Sequence, residues 1–352
     1  MSDLLPSFEE DAWYRATTLL ERVALRQATA LPLTNQKKEV AAQLACKWRS
    51  QARFSTDRLF SQKLDSLALS DDEFVAVLAE PPGLIRSRGG KPPLWLEQFS
   101  QAYSSQLPHP LPGVGELRGD SISGLLNIAK ELVSYGLSKL RIRTLAILEK
   151  HSHPPLKIEM VEDIFLGALA GQLLPIVSKT TVLEMHVARL QGNLQGETQA
   201  ERYCNFVDRL QQPESALAIM LEYPVLARQL VQRVEQWVDF VAEFLGHLCS
   251  DWELILRSLG SNEVEPGFLT QVQSDAGDSH RGGRCVLIAT FSSGFKVVYK
   301  PKSMAVDSHF QELLTWINAR GSHPPLRVLK MGQIRPTENS SRKRTFMKLV
   351  HS

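Results

Sequence analysis

A mainly α-helical fold with a small β part toward its C-terminal end is predicted by three features of the sequence. Apolar residues recur three and four apart, with charged residues between them, from the start to about residue 260. A short β-branched run, 285–291, and an alternating run, 295–300, then follow on either side of Ser292-Ser293-Gly294, which reads as a hairpin. The composition is that of an ordinary globular chain, 352 residues with 43% hydrophobic and 22% charged. That length suits about two domains, or one large helical body with an appendage.

The spacing predicts helices around 8–28, 36–50, 71–79, 122–150, 160–178 and 198–212. The clearest covers 223–248. There Val225, Leu226, Leu230, Val234, Trp237, Val238, Val241, Phe244, Leu245 and Leu248 form one broad stripe, and Arg228, Gln232, Arg233, Glu235, Gln236 and Asp239 line the opposite face. Pro224 suits the first turn, where its missing N–H costs little. These apolar faces predict a helix-on-helix core with no catalytic role. Proline and glycine mark breaks at 80–83, 88–93, 108–113 and 151–155. The stretch 104–120 fits a linker and a rigid surface loop equally well. Arg86, Arg88 and Lys91 cluster beside two glycines; they could meet a phosphate, but no strand-to-helix context surrounds those glycines, and a solvated loop is the simpler reading.

Several classes of function are excluded at this stage. The net charge is +2, from 40 Lys+Arg against 38 Asp+Glu, so no global field draws the chain to nucleic acid. Cys46, Cys204, Cys249 and Cys285 are scattered, with no spacing for a zinc site, and read as reduced thiols of a cytoplasmic protein. Cys285 sits in an apolar run, where it serves as a small hydrophobe rather than as a nucleophile beside His280. The acidic first residues are not a secretory signal, and no uninterrupted apolar stretch reaches the ~18 to 20 residues that cross a bilayer. No membrane association is expected. His280 has no second ligand at zinc spacing.

The β part carries the chemistry. Gly277-Asp278-Ser279-His280-Arg281-Gly282-Gly283 leads into the first strand, the second ends in Lys300 before Pro301, and Asp307 opens a helix to about 319 with Phe310, Leu313, Leu314 and Ile317 on one face. Glycine loop, strand, turn, strand ending in lysine, helix: this is the order of the nucleotide-binding half of a kinase-like small lobe. In such a lobe a fixed ammonium bonds the phosphates of ATP and is held by a carboxylate of the following helix. Lys300 fits the first role and Glu312 the second. A hairpin ending in lysine is common, however, and Lys300 and Lys302 also suit edge lysines that prevent sheet-to-sheet pairing. The loop shifts the balance: Arg281 supplies a cation, Gly282 and Gly283 a bare backbone, and Asp278 and His280 an acid and an imidazole. A turn in which Asp278 bonds its own backbone is the plain alternative.

Four blocks together resemble a known family. Glu222-Tyr-Pro-Val-Leu-Ala-Arg228 through Trp237, the 277–283 loop, Val297-Val-Tyr-Lys-Pro-Lys302 and Phe310-Gln-Glu-Leu-Leu-Thr-Trp-Ile-Asn318 resemble, in order and spacing, the dehydratase domain of class II (LanM-type) lanthipeptide synthetases. The resemblance covers 200–330 well and the earlier helices weakly. It implies a lipid-kinase-like fold with an added helical part, binding of ATP and Mg2+, phosphorylation of Ser and Thr in a leader-bearing precursor peptide, and elimination of phosphate to dehydroamino acids. By position it assigns ATP binding to Lys300 and dehydration to Asp278 and His280, while Arg281, Gly282 and Gly283 are set around the nucleotide by the chemistry of the loop and Glu312 by the geometry of the following helix.

The expected organisation is therefore a helical region over 1–262, an incomplete kinase-like small lobe over 263–332, and an irregular or out-of-frame tail over 333–352 with a basic cluster at Arg342-Lys343-Arg344. The large lobe and zinc cyclase of the family are not found after 332. The expectation is a truncated synthetase fragment, inactive alone or dependent on a separately encoded remainder. The alternative is a non-catalytic module that binds the precursor peptide or complements a partner.

Overall fold

A computed structural model of the chain describes residues 10–26, 35–52, 54, 56–104, 122–259, 265–274, 281–301, 305–321, 323–328, 331–332 and 345–348. In the first part, a 3-10 segment Asp11–Ala16 precedes α1 (Leu19–Leu25), α2 (Asn35–Arg49), α3 (Asp57–Asp65), α4 (Asp71–Ala79), α5 (Pro82–Gly89) and α6 (Leu94–Ser104). A second 3-10 segment, Ile122–Ala129, leads into α7 (Lys130–Leu148), α8 (Ile158–Leu190), α9 (Gln199–Leu210), α10 (Pro213–Glu222) and α11 (Pro224–Leu259). The β part holds β1 (Leu269–Gln273), β2 (Leu287–Phe291), β3 (Lys296–Lys300), α12 (Ala305–Asn318), β4 (Met331–Gly332) and β5 (Thr345–Lys348). The predicted linker at 104–120 lies almost wholly outside the described residues.

Local chemistry explains where the helices begin. Thr18, Ser70 and Thr198 cap α1, α4 and α9 with reciprocal bonds to Glu21, Glu73 and Glu201, so two otherwise orphaned amides are satisfied at each start. Pro82, Pro213 and Pro224 each open a helix, the one place where a proline ring and its missing N–H fit. The predicted breaks at 80–83 and 88–93 separate helices, at 80–81 and 90–93; the segment between them is α5, and α3, α6 and α10 are likewise helices that the periodicity left unassigned.

The chain divides into two compact units, one of Met1–Ser104 with Pro213–Gln229 and one of Ser105–Gln212 with Leu230–Ser352. Helices α7 to α9 and most of α11 group with the sheet in the second of these. In the first unit, Phe60, Leu64, Phe74 and Val77 form a core on which Trp48 and Phe54 pack edge-on. Trp13 lies against Trp95 and Phe99. Arg228 is buried there and donates to the Ala16 carbonyl at 2.9 Å and to both carboxylate oxygens of Glu21 at 2.6 and 2.7 Å. Arg86 pairs with Asp11 at 3.1 Å and Arg88 with Glu80 at 2.5 Å, so both arginines of the basic cluster engage carboxylates of their own unit.

In the second unit α7 and α11 approach closely at Gly136, where a Cβ would stand 2.4 Å from Cγ1 of Val234. Only glycine lets the two backbones come so near. Every fourth residue of α8 is buried, from Val161 through Phe165, Leu169, Leu173 and Val177 to Thr181, which is the pattern of a helix laid along a core. By length and composition alone α8 is long and apolar enough to cross a bilayer, although no uninterrupted apolar stretch in it reaches that length. It runs 33 residues, straight through Pro175, and reaches a mean hydropathy of 1.6 over 18 of them.

The sheet has the order β1-β2-β3-β5-β4, and all its pairings are antiparallel. Between β2 and β3 the register sets Leu287 opposite Tyr299 and Thr290 opposite Lys296. The turn is closed by the Gly294 amide donating to the Phe291 carbonyl at 2.8 Å, with Gly294 at φ 84°. The hairpin prediction at 285–291 and 295–300 thus matches within two residues. The tail expected to be irregular contributes β5, which sets Lys300 opposite Thr345 and Val297 opposite Lys348. The physical reason is on β3: its outer backbone groups need partners, and Thr345-Phe346-Met347-Lys348 supplies an extended segment for them.

Candidate nucleotide-binding site

The sequence places its chemistry at two points of the second unit, the glycine turn before β2 and the lysine that ends β3. Strand β3 lies inside the sheet, with Val297, Val298 and Tyr299 buried and Lys300 half-buried. Tyr299 is fully buried. Its ring stands 5.2 Å from that of Phe244 and 6.4 Å from that of Phe240, and its hydroxyl is 2.8 Å from Nδ1 of His247. All three partners are on α11. The residue before the lysine is therefore plugged into that helix by both packing and a hydrogen bond.

The glycine turn is fastened to the same helix. Gly282 and Gly283 have φ of 75° and 74°, a left-handed backbone that glycine adopts without strain. A Cβ on Gly283 would lie 3.1 Å from Nη1 of Arg233 and 3.8 Å from Cβ of Gln236, so the bare backbone is what lets the turn approach α11. The next residue, Arg284, closes the attachment: its guanidinium binds the Glu243 carboxylate, with Nε donating at 3.2 Å to Oε2. That bond holds the Arg284 guanidinium above its ordinary pKa, against the opposing effect of partial burial.

Gln236, Glu243 and His247 are spaced by seven and four residues, which places them along one stripe of α11. Two further ion pairs decorate this helix, Lys139 to Glu235 at 2.7 Å and Arg143 to Asp239 at 2.5 Å. One helix thus sets the height and spacing of the glycine turn and of the strand that ends in Lys300. The glycine turn and the end of the lysine-terminated strand are thus held by the same helix.

The predicted residues fall unevenly on this frame. Gly282 and Gly283 form the turn, and the Arg281 backbone starts it, while the Arg281 side chain lies outside the described residues. Asp278 and His280 also lie outside the described residues. Glu312 stands on α12 with its side chain 69% exposed and Oε2 3.2 Å from Nδ1 of His309. Cys285 is buried at 4% exposure and Cys249 is buried with its thiol pushed up to about 11, so both behave as core residues. Among the described residues no group of three or more His, Cys, Asp or Glu gathers to hold a metal ion.

Sequence reading gave no role in the site to Glu243, His247, Arg284 or Tyr299, and placed Arg233 and Gln236 only on the polar face of the 223–248 helix. A signal was present: Gln236, Glu243 and His247 place polar groups at helical spacing beside the apolar stripe of 223–248, and a helix face that alternates so is built to receive something.

Residues 223–334 match the model of a family described as "Domain of unknown function (DUF4135)". The chain is also 23% identical over 171 residues, 48% of its length, to the Lacticin 481/lactococcin biosynthesis protein LcnDR2 of Lactococcus lactis subsp. lactis. The match spans 18% of that relative. The four sequence blocks singled out above fall almost entirely within 223–334.

Proposed function

We propose that this chain takes part in lanthipeptide biosynthesis and that its second unit forms the nucleotide-binding half of a LanM-type dehydratase with a kinase-like small lobe. The observation that carries the reading is the common mounting of the glycine turn and the Lys300 strand on α11, through Arg284–Glu243 and Tyr299–His247. Backbone amides of Gly282 and Gly283 and the side chain of Arg281 meet the polyphosphate of ATP, the Lys300 ammonium bonds its oxygens, and Glu312 steadies the ammonium. Mg2+ arrives with the nucleotide, since magnesium is commonly held by phosphates and few protein carboxylates.

In the reaction proposed, the terminal phosphoryl group of ATP passes to a Ser or Thr hydroxyl of a precursor peptide, the hydroxyl proton is lost to a base, and ADP departs. Loss of the α-proton and of phosphate then leaves a dehydroamino acid. Asp278 and His280 supply acid–base capacity for these proton transfers. The reading places the protein in the cytoplasm, where its four cysteines remain reduced. Because the match covers 18% of the relative, residues that complete the reaction would come from other polypeptide, fused or separate. The test is to incubate the chain with Mg-ATP and measure nucleotide binding calorimetrically, then to add precursor peptide with and without the complementing segment and follow peptide mass. Nucleotide binding with phosphoryl gain or water loss in the complemented reaction supports the reading; no nucleotide binding by the chain contradicts it.

A further inference from the structure

Strand β1 is the outer strand of the sheet, paired to β2 alone among the described strands. Its first residue is spoken for, because the Leu269 amide donates to the Pro155 carbonyl at 2.7 Å, but no such bond from a described residue continues along 270–274. A cleft of about 490 Å³ lies beside that open stretch. One wall is Thr270 to Gln273 of β1 with Ser274 just after it, and the other is α8 at Asp163, Ile164, Gly167 and Ala168. A Cβ built on Gly167 would meet nothing within 4 Å, so the α8 wall is low and the space above it is clear.

An outer strand presents backbone N–H and C=O groups that extended polypeptide satisfies better than any small molecule. Natural outer strands are usually blunted by lysine, proline or cover. This one carries Thr270, Gln271, Val272 and Gln273, with a single irregularity of register near its start and no charge along its length. We propose that the cleft is a peptide-docking site in which an extended segment of the substrate peptide adds antiparallel or parallel to β1, its backbone pairing with residues 270–274 and its side chains alternating between α8 and solvent. The occupant is polypeptide because the exposed groups are those of a ladder, and its docked part is short because a five-residue strand spans about 17 Å. Asp163 at the α8 wall favours a hydroxyl or cationic side chain at the facing position. Gln273 at the end of β1 stands opposite Ile288 near the start of β2, so a peptide held along β1 reaches the same end of the sheet as the proposed phosphate turn that precedes β2.

The inference rests on the proposed peptide-modifying role, and its test separates the two. Fluorescein-labelled lacticin 481 precursor peptide is titrated into the full chain and amide hydrogen exchange is followed at saturation. Binding is expected to slow exchange at 270–274 at least tenfold. Gly167→Leu, which grows into open space and leaves the fold unstrained, is expected to weaken binding at least tenfold, as is replacement of the docked residues by N-methylated ones. Equal binding by wild type and Gly167→Leu, with exchange at 270–274 unchanged, overturns the docking site and leaves the peptide-modifying role intact. Failure of the wild-type chain to bind the peptide at all overturns both.

Discussion

The hydroxyl of Tyr299 and Nδ1 of His247 lie 2.8 Å apart, which ties strand β3 to helix α11 one residue before Lys300. The pair is shielded by Phe240 and Phe244, whose rings flank Tyr299. Tyr299→Phe removes only the hydrogen bond and is expected to cost about 1 kcal/mol. Tyr299→Ala empties a fully buried site and is expected to cost about 3–5 kcal/mol. Denaturant titration of the three proteins checks the order.

The Arg284–Glu243 pair makes a prediction about local order. Arg284→Ala should release the glycine turn from α11 without disturbing the β2–β3 hairpin, whose register is set by its own ladder. Hydrogen exchange is expected to quicken at 282–286 and to stay slow at 288–290 and 297–299. Uniform quickening across the sheet would mean that the pair supports the whole unit.

Gly283 is the position where a side chain is least welcome. Gly283→Ala sets a Cβ at φ 74° and 3.1 Å from Nη1 of Arg233. Because the contacted atom is the end of a flexible side chain, most of the expected cost, about 1–2 kcal/mol, comes from the left-handed backbone. Thermal unfolding measures it, and the variant should bind ATP more weakly than wild type.

The first unit carries a pH-dependent contribution at Glu21. Burial pushes its carboxyl up, but hydrogen bonds from the Arg228 guanidinium and from the Thr18 amide and hydroxyl outweigh burial and hold it at about 2, against 4.5. A carboxylate depressed in the folded state contributes stability that is complete above pH 4.5 and disappears as pH falls through 2. Allowing for solvent screening of this partly exposed group, Glu21→Gln is expected to cost about 1–2 kcal/mol at pH 7. Unfolding of both proteins between pH 7 and pH 2 should show the difference closing only below about pH 4.

Strand β5 protects β3. Removing residues 333–352 bares the β3 backbone that now pairs with Thr345–Lys348. The shortened chain is expected to self-associate at concentrations where the full chain does not, as static light scattering would show.

What the sequence disclosed followed from how local each feature is. The β2–β3 hairpin is written in the seven residues before and the six after Ser292-Ser293-Gly294, and the apolar stripe of α11 repeats within a turn, so both were legible. Strand β1 was not, because Leu269-Thr-Gln-Val-Gln273 is short and polar, and it becomes a strand only by pairing with β2. Helix α5 was hidden by its own start signal, since Pro82 reads as punctuation until it is placed at a first turn. Lys300 and the glycines could be named from spacing, but their mounting on α11 joins residues about forty apart or more, and no local pattern records that Arg284 will find Glu243 or that Tyr299 will find His247.

The claim on which the functional account depends is that Lys300 and the glycine turn serve one nucleotide. Calorimetric titration of Mg-ATP into the wild-type chain and into Lys300→Ala tests it most directly, with Lys296→Ala on the same strand as the control for lost surface charge. The account predicts saturable binding by wild type and by Lys296→Ala and at least a tenfold loss in Lys300→Ala. Equal affinity in Lys300→Ala and wild type would contradict it and leave Lys300 as a lysine that merely guards the end of a strand.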